Sequence, residues 1–294
     1  MKVVTFGELM LRLAPEGYYR FVQSDKLGAT YGGGEANVAV SLANYGVPVS
    51  FVPSKVIYDR AGSAFALSEK ADYDWDKILD GVTWFHFTGI TPALGDNLVE
   101  VLENALPIMK ERGITVSCDL NYRKKLWTRE KAREVMTKLM KYVDVCISNE
   151  EDAYDVFGIK AGSTDVTKGA LDKESYKSVA SQLAEKFGFK YVAITLRTSL
   201  SANDNKWAGM LYDGKDYCLS KEYNMHIVDR VGGGDSFGGG LIYALINGYS
   251  SQDASEFAVA ASCVKHSVEG DYNMVSVSEV QSLAGGNGSG RVQR

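Results

Sequence analysis

The chain has 294 residues, of which 45% are hydrophobic and 23% are charged, a balance typical of a globular protein. Its formal net charge of −5 comes from interspersed acidic and basic residues. This argues against a nucleic-acid or anionic-membrane surface, since both need a concentrated basic field. The amino-terminal run contains no long apolar segment, so we expect neither a signal peptide nor a membrane span.

Short β-branched or aromatic runs alternate along the chain with longer stretches of helical periodicity, the pattern of a parallel sheet with crossover helices. The predicted strands, in chain order, are Val3–Phe6, Val49–Val52, Trp84–Thr88, Thr115–Asp119, 143–148 and 191–196. A helix is predicted over 35–45, because Val38, Leu42 and Tyr45 share one face and Gly46 is a natural stop. The sequence therefore predicts an α/β fold with helices on both faces of the sheet.

The later part of the chain contains a predicted hairpin and a further helix. Residues 210–212 meet 217–219 across a turn that contains Asp213 and Gly214, and helical periodicity follows over 252–267. The four cysteines and three histidines are scattered without a CxxC pair or a metal-ligand spacing. We therefore expect buried, reduced thiols in a cytosolic protein.

The most informative stretch, at 229–240, reads DRVGGGDSFGGG. The triple glycine of Gly232, Gly233 and Gly234 lets the backbone turn sharply into a helix and aim amide groups at one point, where the helix dipole also favours negative charge. This geometry suits a phosphate group. Asp235 follows in the first helical turn, within reach of a hydroxyl beside a transferring phosphoryl group.

A simpler interpretation is that Asp235 caps a helix and that the glycines only permit tight packing. However, Gly238, Gly239 and Gly240 lie inside the same predicted helix, where each costs roughly 1 kcal/mol relative to alanine. The segment therefore has the character of one selected for close approach rather than for stability. The chain contains no GxxxxGK[ST] motif, which excludes an ordinary P-loop.

A second glycine turn lies near the amino terminus, where Gly32, Gly33 and Gly34 lead into the helix that carries Asn37. The two glycine segments, in this order, resemble the two signatures of the ribokinase-like (PfkB carbohydrate kinase) family. By this resemblance, the exposed backbone of the first turn meets sugar hydroxyls. The resemblance implies a doubly wound, mostly parallel sheet flanked by helices, and an ATP-dependent sugar kinase that uses Mg²⁺.

The resemblance also implies a role for individual residues. Asp235 corresponds to the catalytic base, and Gly232, Gly233 and Gly234 correspond to the anion hole, with Gly232 and Gly234 also at the nucleotide. The residues that the resemblance places at the sugar are Gly33, Gly34, Asn37 and Asp235.

Two further segments resemble the family's nucleotide site. The run at 148–152 is similar to an acidic motif at a strand end, which implies that Asn149 and Asp152 support the magnesium-bound phosphates, with Asp152 acting on the metal indirectly. Thr195 and Arg197 occupy the place of a nucleotide-proximal strand end. A solvated helix start is the alternative for the acidic run, since acidic residues are favourable there in any helix. A monovalent cation is a further candidate cofactor.

Within the family, the chain resembles the 2-keto-3-deoxygluconate kinases over nearly its whole length. The substrate of such kinases is a sugar acid, whose carboxylate and keto group suit guanidinium donors. Arg60 and Arg123 fall at positions that resemble those contacts, and Tyr58 is a further sugar neighbour. The alternatives are a solvated loop charge for Arg60 and a surface ion pair for Arg123.

The chain departs from the family after Val52, where related kinases insert a helix, another strand and much of a β lid. The sequence therefore predicts one ribokinase-like domain over 1–294 with a reduced β lid, whose remnants lie near 9–31 and 53–63. In related kinases the lid covers the sugar and often pairs with a second subunit. Because the lid is shortened, the sequence does not decide whether the lid closes over the sugar or whether the chain forms a homo-oligomer.

The predicted activity is the transfer of a phosphoryl group from ATP to the terminal hydroxyl of 2-keto-3-deoxygluconate in the cytoplasm. The expected partners are the sugar acid and ATP, without nucleic acid or membrane. Two alternatives remain. One is a fructokinase or ribokinase-type kinase of a neutral sugar, and the other is a lid-deficient, non-catalytic protein that binds sugar or nucleotide.

Overall fold

The computed structural model describes residues 1–17, 19–53, 63–160 and 173–286. Its strands are β1 (Val3–Phe6), β2 (Met10–Ala14), β3 (Gly28–Gly32), β4 (Val49–Val52), β5 (Trp84–Thr88), β6 (Thr115–Asp119), β7 (Val145–Ser148), β8 (Tyr191–Ser199), β9 (Asp204–Tyr212), β10 (Tyr217–Leu219) and β11 (Tyr223–His226). Its α-helices are α1 (Gly34–Asn44), α2 (Trp75–Ile78), α3 (Ile90–Ala93), α4 (Asp96–Glu111), α5 (Arg129–Leu139), α6 (Glu150–Phe157), α7 (Lys173–Phe187), α8 (Gly233–Ile246), α9 (Ser251–Lys265) and α10 (Val277–Ala284).

The strands that the sequence predicts are present. Four of them have the predicted bounds, whereas β7 begins later, at Val145, and β8 continues further, to Ser199. The predicted hairpin is confirmed, because Tyr217 pairs with Tyr212 and Leu219 pairs with Met210 in antiparallel register. Helix α1 ends at Asn44, one residue before the predicted end, and the predicted stop Gly46 has a φ of 77°, the left-handed conformation that glycine adopts readily.

The main sheet has the strand order β10-β9-β8-β7-β6-β5-β1-β4, with β11 beside β9. The strands from β8 to β4 in this order run parallel, and β9 runs antiparallel to β8. The predicted mostly parallel sheet is confirmed. Among the described residues β4 is an edge strand, and all four of its residues are only half-buried.

The sheet is covered on both faces, as predicted. One face packs Phe6, Phe87 and Val116 against α4, α5 and α7, whereas the other packs Val3 and Ile147 beneath α1, α8 and α9. Each fully buried side chain of this size contributes roughly 1.5 to 3 kcal/mol. The aromatic strand residues Trp84, Phe85 and Phe87 are all part of these cores.

A separate two-stranded sheet lies outside the main sheet. Its strands β2 and β3 are antiparallel, with Met10 paired to Gly32 and Ala14 to Gly28. We call it the small sheet. It falls within the amino-terminal segment predicted to be a lid remnant, whereas most of the second predicted remnant, at 54–62, lies outside the described residues.

Two sequence-based expectations concern the chain as a whole. No helix in the described ranges is both long and apolar enough to cross a bilayer. All four cysteines are free, and three of them are buried, but Cys218 is only half-buried because it lies on the short strand β10.

Candidate active site

The candidate site lies where the carboxyl ends of the parallel strands meet, the edge at which ligands bind in open α/β sheets. Strands β5, β6 and β7 end here at Thr88, Asp119 and Ser148. Helices α1 and α8, which begin at the two glycine turns, contact each other extensively, so the two segments singled out in the sequence come together at one place.

The first glycine turn lies directly against Asp235. The Asn37 amide Nδ2 donates a hydrogen bond to Asp235 Oδ2 at 2.6 Å. A Cβ built on Gly34 would lie 3.7 Å from Asp235 Oδ1 and 3.7 Å from Asn121 Nδ2, so the missing side chain leaves open the approach to the carboxylate. Gly33 has a packing role, since a Cβ there would collide with the main-chain carbonyl of Glu8.

Asp235 is a partly exposed carboxyl in a poorly solvated environment. Burial raises its pKa to about 6, although the hydrogen bond from Asn37 and the charge of Arg123 act in the opposite direction. The N-cap of α8 is Gly232, and no side chain caps this helix. The simpler interpretation of Asp235 as a helix cap is therefore wrong, since its carboxylate bonds to Asn37 of another helix.

The three glycines of the second turn differ in their surroundings. Gly232 has a φ of 81°, and a Cβ there would collide with the Asp271 carbonyl oxygen, while a Cβ on Gly233 would collide with the ring of His266. Apart from its chain neighbours and the backbone of its own helix, no atom of the described residues lies within 4 Å of a Cβ built on Gly234. Tight packing thus explains two of the glycines, and the third faces open space.

The same turn leaves main-chain donors available at the start of α8. The Gly233 amide donates to the Arg230 carbonyl at 3.4 Å. For the amides of Gly234 and Asp235, the described part of the chain provides no acceptor. Such amides at a helix N-terminus, where the helix dipole is positive, form an anion-binding site.

The same edge of the sheet carries two more carboxyl groups and a guanidinium. Burial raises the pKa of Asp152 to about 7 and that of Asp119 well above its usual range, and Arg123 opposes both shifts. Arg123 is exposed, and its guanidinium donates to the Tyr122 carbonyl at 3.3 Å. Within the described residues it forms no ion pair, so the structure does not support the surface ion pair considered for it.

In the run that begins at Asn149, one residue caps a helix and another carries a buried carboxyl group of the site. Asn149 is the N-cap of α6, because its Oδ1 accepts from the Asp152 amide at 2.8 Å. Its Nδ2 also donates to Asp152 Oδ2 at 3.0 Å. A solvated helix start is wrong for Asp152, however, since that residue is only 7% exposed.

The remaining predicted site residues are less closely connected to Asp235. Thr195 is half-buried on β8 opposite Gly209, and the exposed Arg197 acts electrostatically on His266, which lies beneath Gly233. Tyr58 and Arg60 lie outside the described residues.

The sequence-based reasoning missed several residues of the site. Asn121 has a φ of 39°, the one positive value outside glycine in the described ranges, and it lies beside Gly34. An asparagine just after a strand end is the available signal, since asparagine tolerates this conformation. Glu35 was also missed, although its Oε1 accepts hydrogen bonds from the Thr88 amide, the Thr88 hydroxyl and the Thr91 hydroxyl at 3.0, 2.8 and 2.8 Å.

A third missed group lies behind the second glycine turn. Arg12 of β2 pairs with Asp229 at 2.9 Å and with Asp271 at 2.7 Å, and the neighbouring Lys265 is fully buried. The available signal was the position of Lys265, four residues after the buried Ala261 of an otherwise apolar helical face.

Known proteins share this sequence and architecture. The family described as pfkB family carbohydrate kinase matches residues 53–277. The crystal structure of 2-dehydro-3-deoxygluconokinase from Thermotoga maritima is 44% identical, with a TM-score of 0.89, over 97% of this chain and 98% of that one. The 2-dehydro-3-deoxygalactonokinase of Haloferax volcanii is 28% identical over 98% of both chains. The 2-dehydro-3-deoxygluconokinase of Thermoproteus tenax is 26% identical over 74% of this chain and 59% of its own length.

The alignment with the Haloferax protein spans 337 positions, whereas this chain has 294 residues. That relative therefore contains residues without a counterpart here. The position of the shortening, after Val52, stays a prediction.

Proposed function

The chain belongs to the pfkB family of carbohydrate kinases, and from this premise we propose that it phosphorylates 2-keto-3-deoxygluconate at its terminal hydroxyl to give the 6-phosphate. ATP is the phosphoryl donor of such a kinase. The observation that carries the proposal is the hydrogen bond of 2.6 Å between Asn37 and Asp235, since it joins the two glycine segments into one site. The 44% identical deoxygluconokinase supports the choice of substrate.

In the proposed reaction, Asp235 accepts the proton of the terminal hydroxyl as its oxygen bonds to the γ-phosphorus. The bond between that phosphorus and the β–γ bridging oxygen breaks, and ADP leaves. The free amides of Gly234 and Asp235 stabilise the charge on the transferred group. The exposed guanidinium of Arg123 is available to the sugar-acid carboxylate, while Gly34 and Asn37 form the wall beside the reacting hydroxyl.

Mg²⁺ fits this site as a companion of the phosphates. In the described part of the chain no group of three or more acidic, histidine or cysteine residues is arranged to hold a metal. This matches magnesium, which usually takes one or two carboxylates and otherwise binds phosphate oxygens and water. Asp152, held by Asn149, and the adjacent Asp119 are the carboxyl groups placed to support it. When bound, it would neutralise charge on the phosphate oxygens.

An assay of ADP release with 2-keto-3-deoxygluconate tests the catalytic assignment. We expect Asp235→Asn to lower kcat by roughly a hundredfold or more, the usual contribution of a general base. Asp253→Asn is a matched control, because Asp253 is also the third residue of its helix but lies exposed on α9. Turnover of Asp235→Asn at the wild-type rate would contradict the proposal.

A substrate panel tests the choice of sugar. It compares 2-keto-3-deoxygluconate with its galactonate epimer, fructose and ribose. Loss of one charge-assisted contact in Arg123→Ala should raise KM for the sugar acids roughly tenfold or more without changing KM for neutral sugars. Lys124→Ala, at the exposed neighbouring position, is the control. Preference for a neutral sugar, or ATP binding without turnover of any substrate, would favour the alternative functions instead.

The proposed chemistry also indicates the cellular compartment of the protein. ATP as donor and four free cysteines suit a reducing compartment, so the cytoplasm is the proposed location.

A further inference from the structure

Lys265, the last residue of α9, has a side chain with no solvent exposure. A lysine is rarely buried to this extent unless acceptors surround its ammonium group. Here Nζ donates to the main-chain carbonyl of Val268 at 3.1 Å and to that of Asp229 at 3.5 Å. One carbonyl belongs to the loop after α9 and the other to the segment that leads into the second glycine turn. The ammonium therefore connects two loops.

Three carboxylates near Lys265 favour its protonated form. Burial lowers its pKa below the usual value and the charge of Arg12 adds to this, whereas the carboxylates of Asp229, Asp271 and Asp235 act in the opposite direction. Arg12 is bonded to Asp229 and Asp271 from the other side. Carbonyl and carboxylate oxygens are also the donors that hard inorganic cations prefer. In this structure a lysine supplies the positive charge among them.

The lysine also lies directly against the glycine turn. A Cβ built on Gly232 would lie 3.3 Å from Lys265 Cε, and one built on Gly233 would collide with the ring of His266. The end of α9 thus forms the floor beneath both residues. Gly232 has a φ of 81°, a conformation that glycine adopts readily, and its contacts with this floor and with Asp271 hold the turn in the orientation that presents its amides.

We propose that Lys265 is a positioning residue whose ammonium group serves as a built-in cation: it holds the segment 229–234 in its anion-binding shape and takes the place of an inorganic monovalent cation there. This inference rests on the proposed function, because it takes the amides of Gly234 and Asp235 to be the phosphate site. It adds that a side chain of the protein itself holds the phosphate site in order, and that ATP binding does not depend on added monovalent salts.

Calorimetric titration with ATP tests the role of the charge without requiring turnover. Lys265→Met keeps a long unbranched side chain but removes the ammonium. We expect ATP affinity to fall roughly tenfold or more, as for the loss of hydrogen bonds from a charged donor. Lys221→Met is the matched control, since Lys221 is exposed and also donates to a main-chain carbonyl, that of Ala284, at 2.7 Å. Wild-type affinity in Lys265→Met would overturn the proposal.

Chemical rescue separates the charge from simple packing. Lys265→Ala leaves space for a small cation, whereas tetramethylammonium is too bulky to enter it. In tetramethylammonium chloride this variant should bind ATP weakly, and ammonium or potassium chloride at the same ionic strength should restore most of the affinity. A folded variant whose lost affinity no small cation restores would show that Lys265 acts only by packing, which contradicts the proposal.

The wild-type protein provides a test that does not depend on how well the variants fold. Its ATP affinity should be the same, within about twofold, in tetramethylammonium, sodium, potassium and ammonium chloride. A saturable requirement for one of the small cations would overturn the proposal. Absence of ATP binding in every salt would instead contradict the proposed kinase function, so the two failures are distinguishable.

Discussion

At the scale of single residues, Asp235 has the properties of a base that works near neutral pH. Burial raises its pKa to about 6, yet the hydrogen bond from Asn37 and the charge of Arg123 keep it from rising further. A carboxylate of this pKa is ionised at pH 7 and is still more basic than an exposed aspartate. Its basicity is therefore determined by residues of separate segments, and Asn37 is the one in direct contact.

The pH profile of kcat/KM tests this balance. We expect an acid limb near pH 6 in the wild type, since protonated Asp235 cannot accept the substrate proton. Asn37→Ala removes a donor that favours the carboxylate, so the pKa should rise by roughly one unit and the limb should move to higher pH. Asn44→Ala, which removes another asparagine of α1 that donates to the Asn273 carbonyl, should leave the limb in place. A limb that stays unchanged in Asn37→Ala would show that another group controls it.

The sequence predicted Asp235 and Asn37 but not the residues that position them and the glycine turn. Asp235 and Asn37 could be found because each follows a glycine turn with a recognisable pattern. Asn121 and Lys265 could not be assigned in the same way, since their roles depend on contacts with segments far away in the chain. The helix-capping role of Asn149 was predictable from its residue type, whereas the burial of Asp152 follows only from the fold.

At the scale of elements, the second glycine turn combines packing with binding. Gly232 and Gly233 allow the turn to lie against Asp271 and His266, and Gly234 leaves open space at the start of α8. Further along this helix, a Cβ on Gly239 would collide with Ser41 of α1, and one on Gly240 would collide with Ala261 of α9. Tight packing, the simpler interpretation considered for these glycines, is therefore what the structure shows for Gly239 and Gly240, as it does for Gly232 and Gly233.

Alanine substitutions should separate the two roles of the turn. Gly232→Ala and Gly233→Ala should each lower the free energy of unfolding by roughly 1 to 3 kcal/mol, because a methyl group has no room at either position. Gly234→Ala should change it by less than about 0.5 kcal/mol but weaken ATP binding. Urea denaturation and calorimetry measure the two effects. A large loss of stability in Gly234→Ala, or unchanged ATP affinity there, would contradict this division.

The small sheet is joined to the glycine turn through Arg12. Burial opposes ionisation of Asp229, but hydrogen bonds from Arg12 hold the pKa of that carboxyl below its usual value. The pairing strands were not predicted individually, because β2 and β3 are short and mostly exposed or half-buried, so they lack the strict alternation of a strand on a core. The strands of the main sheet were found since both of their faces are covered.

Hydrogen exchange of β2 and β3 tests this link. Arg12→Ala should reduce protection of the small sheet by roughly 1 to 2 kcal/mol, a value below that of a fully buried pair because Arg12 is 32% exposed. It should also raise KM for the sugar, since β3 of the small sheet ends at Gly32 of the first glycine turn. Lys26→Ala, on the exposed connection between the two strands, is the control. Unchanged exchange in Arg12→Ala would mean that the ion pairs do not hold the small sheet.

At the scale of the whole molecule, the site is assembled from residues near both ends of the chain at the carboxyl edge of the main sheet. The alternation of short β-branched or aromatic runs with helical stretches was enough to predict the doubly covered sheet. What the sequence left unpredicted is how α1 is fixed to the strand ends, and the structure assigns that connection to Glu35. Its carboxyl is completely buried and joins α1 to β5 and to α3 through Thr88 and Thr91.

This connection makes the stability of the whole fold dependent on pH. Burial raises the pKa of Glu35 from 4.5 to about 7, with a smaller contribution from the charge of Glu8, while bonds from Thr88 and Thr91 act against the shift. The folded state therefore retains a proton that the unfolded state releases above pH 4.5. The stabilisation by Glu35 is complete below that pH and is lost as the pH rises through 7.

Glu35→Gln removes this titration and keeps an oxygen acceptor for the two threonines. Relative to the wild type, the variant should gain up to roughly 3 kcal/mol in free energy of unfolding between pH 5 and pH 8, as expected for a pKa shift of this size. Urea denaturation at both pH values measures the difference. Glu134→Gln, at an exposed position of α5, should show no such gain. If the wild type and Glu35→Gln lost stability in parallel, Glu35 would be ionised in the folded state, and its buried Oε2, which has no hydrogen-bond partner within the described residues, would require a cation instead.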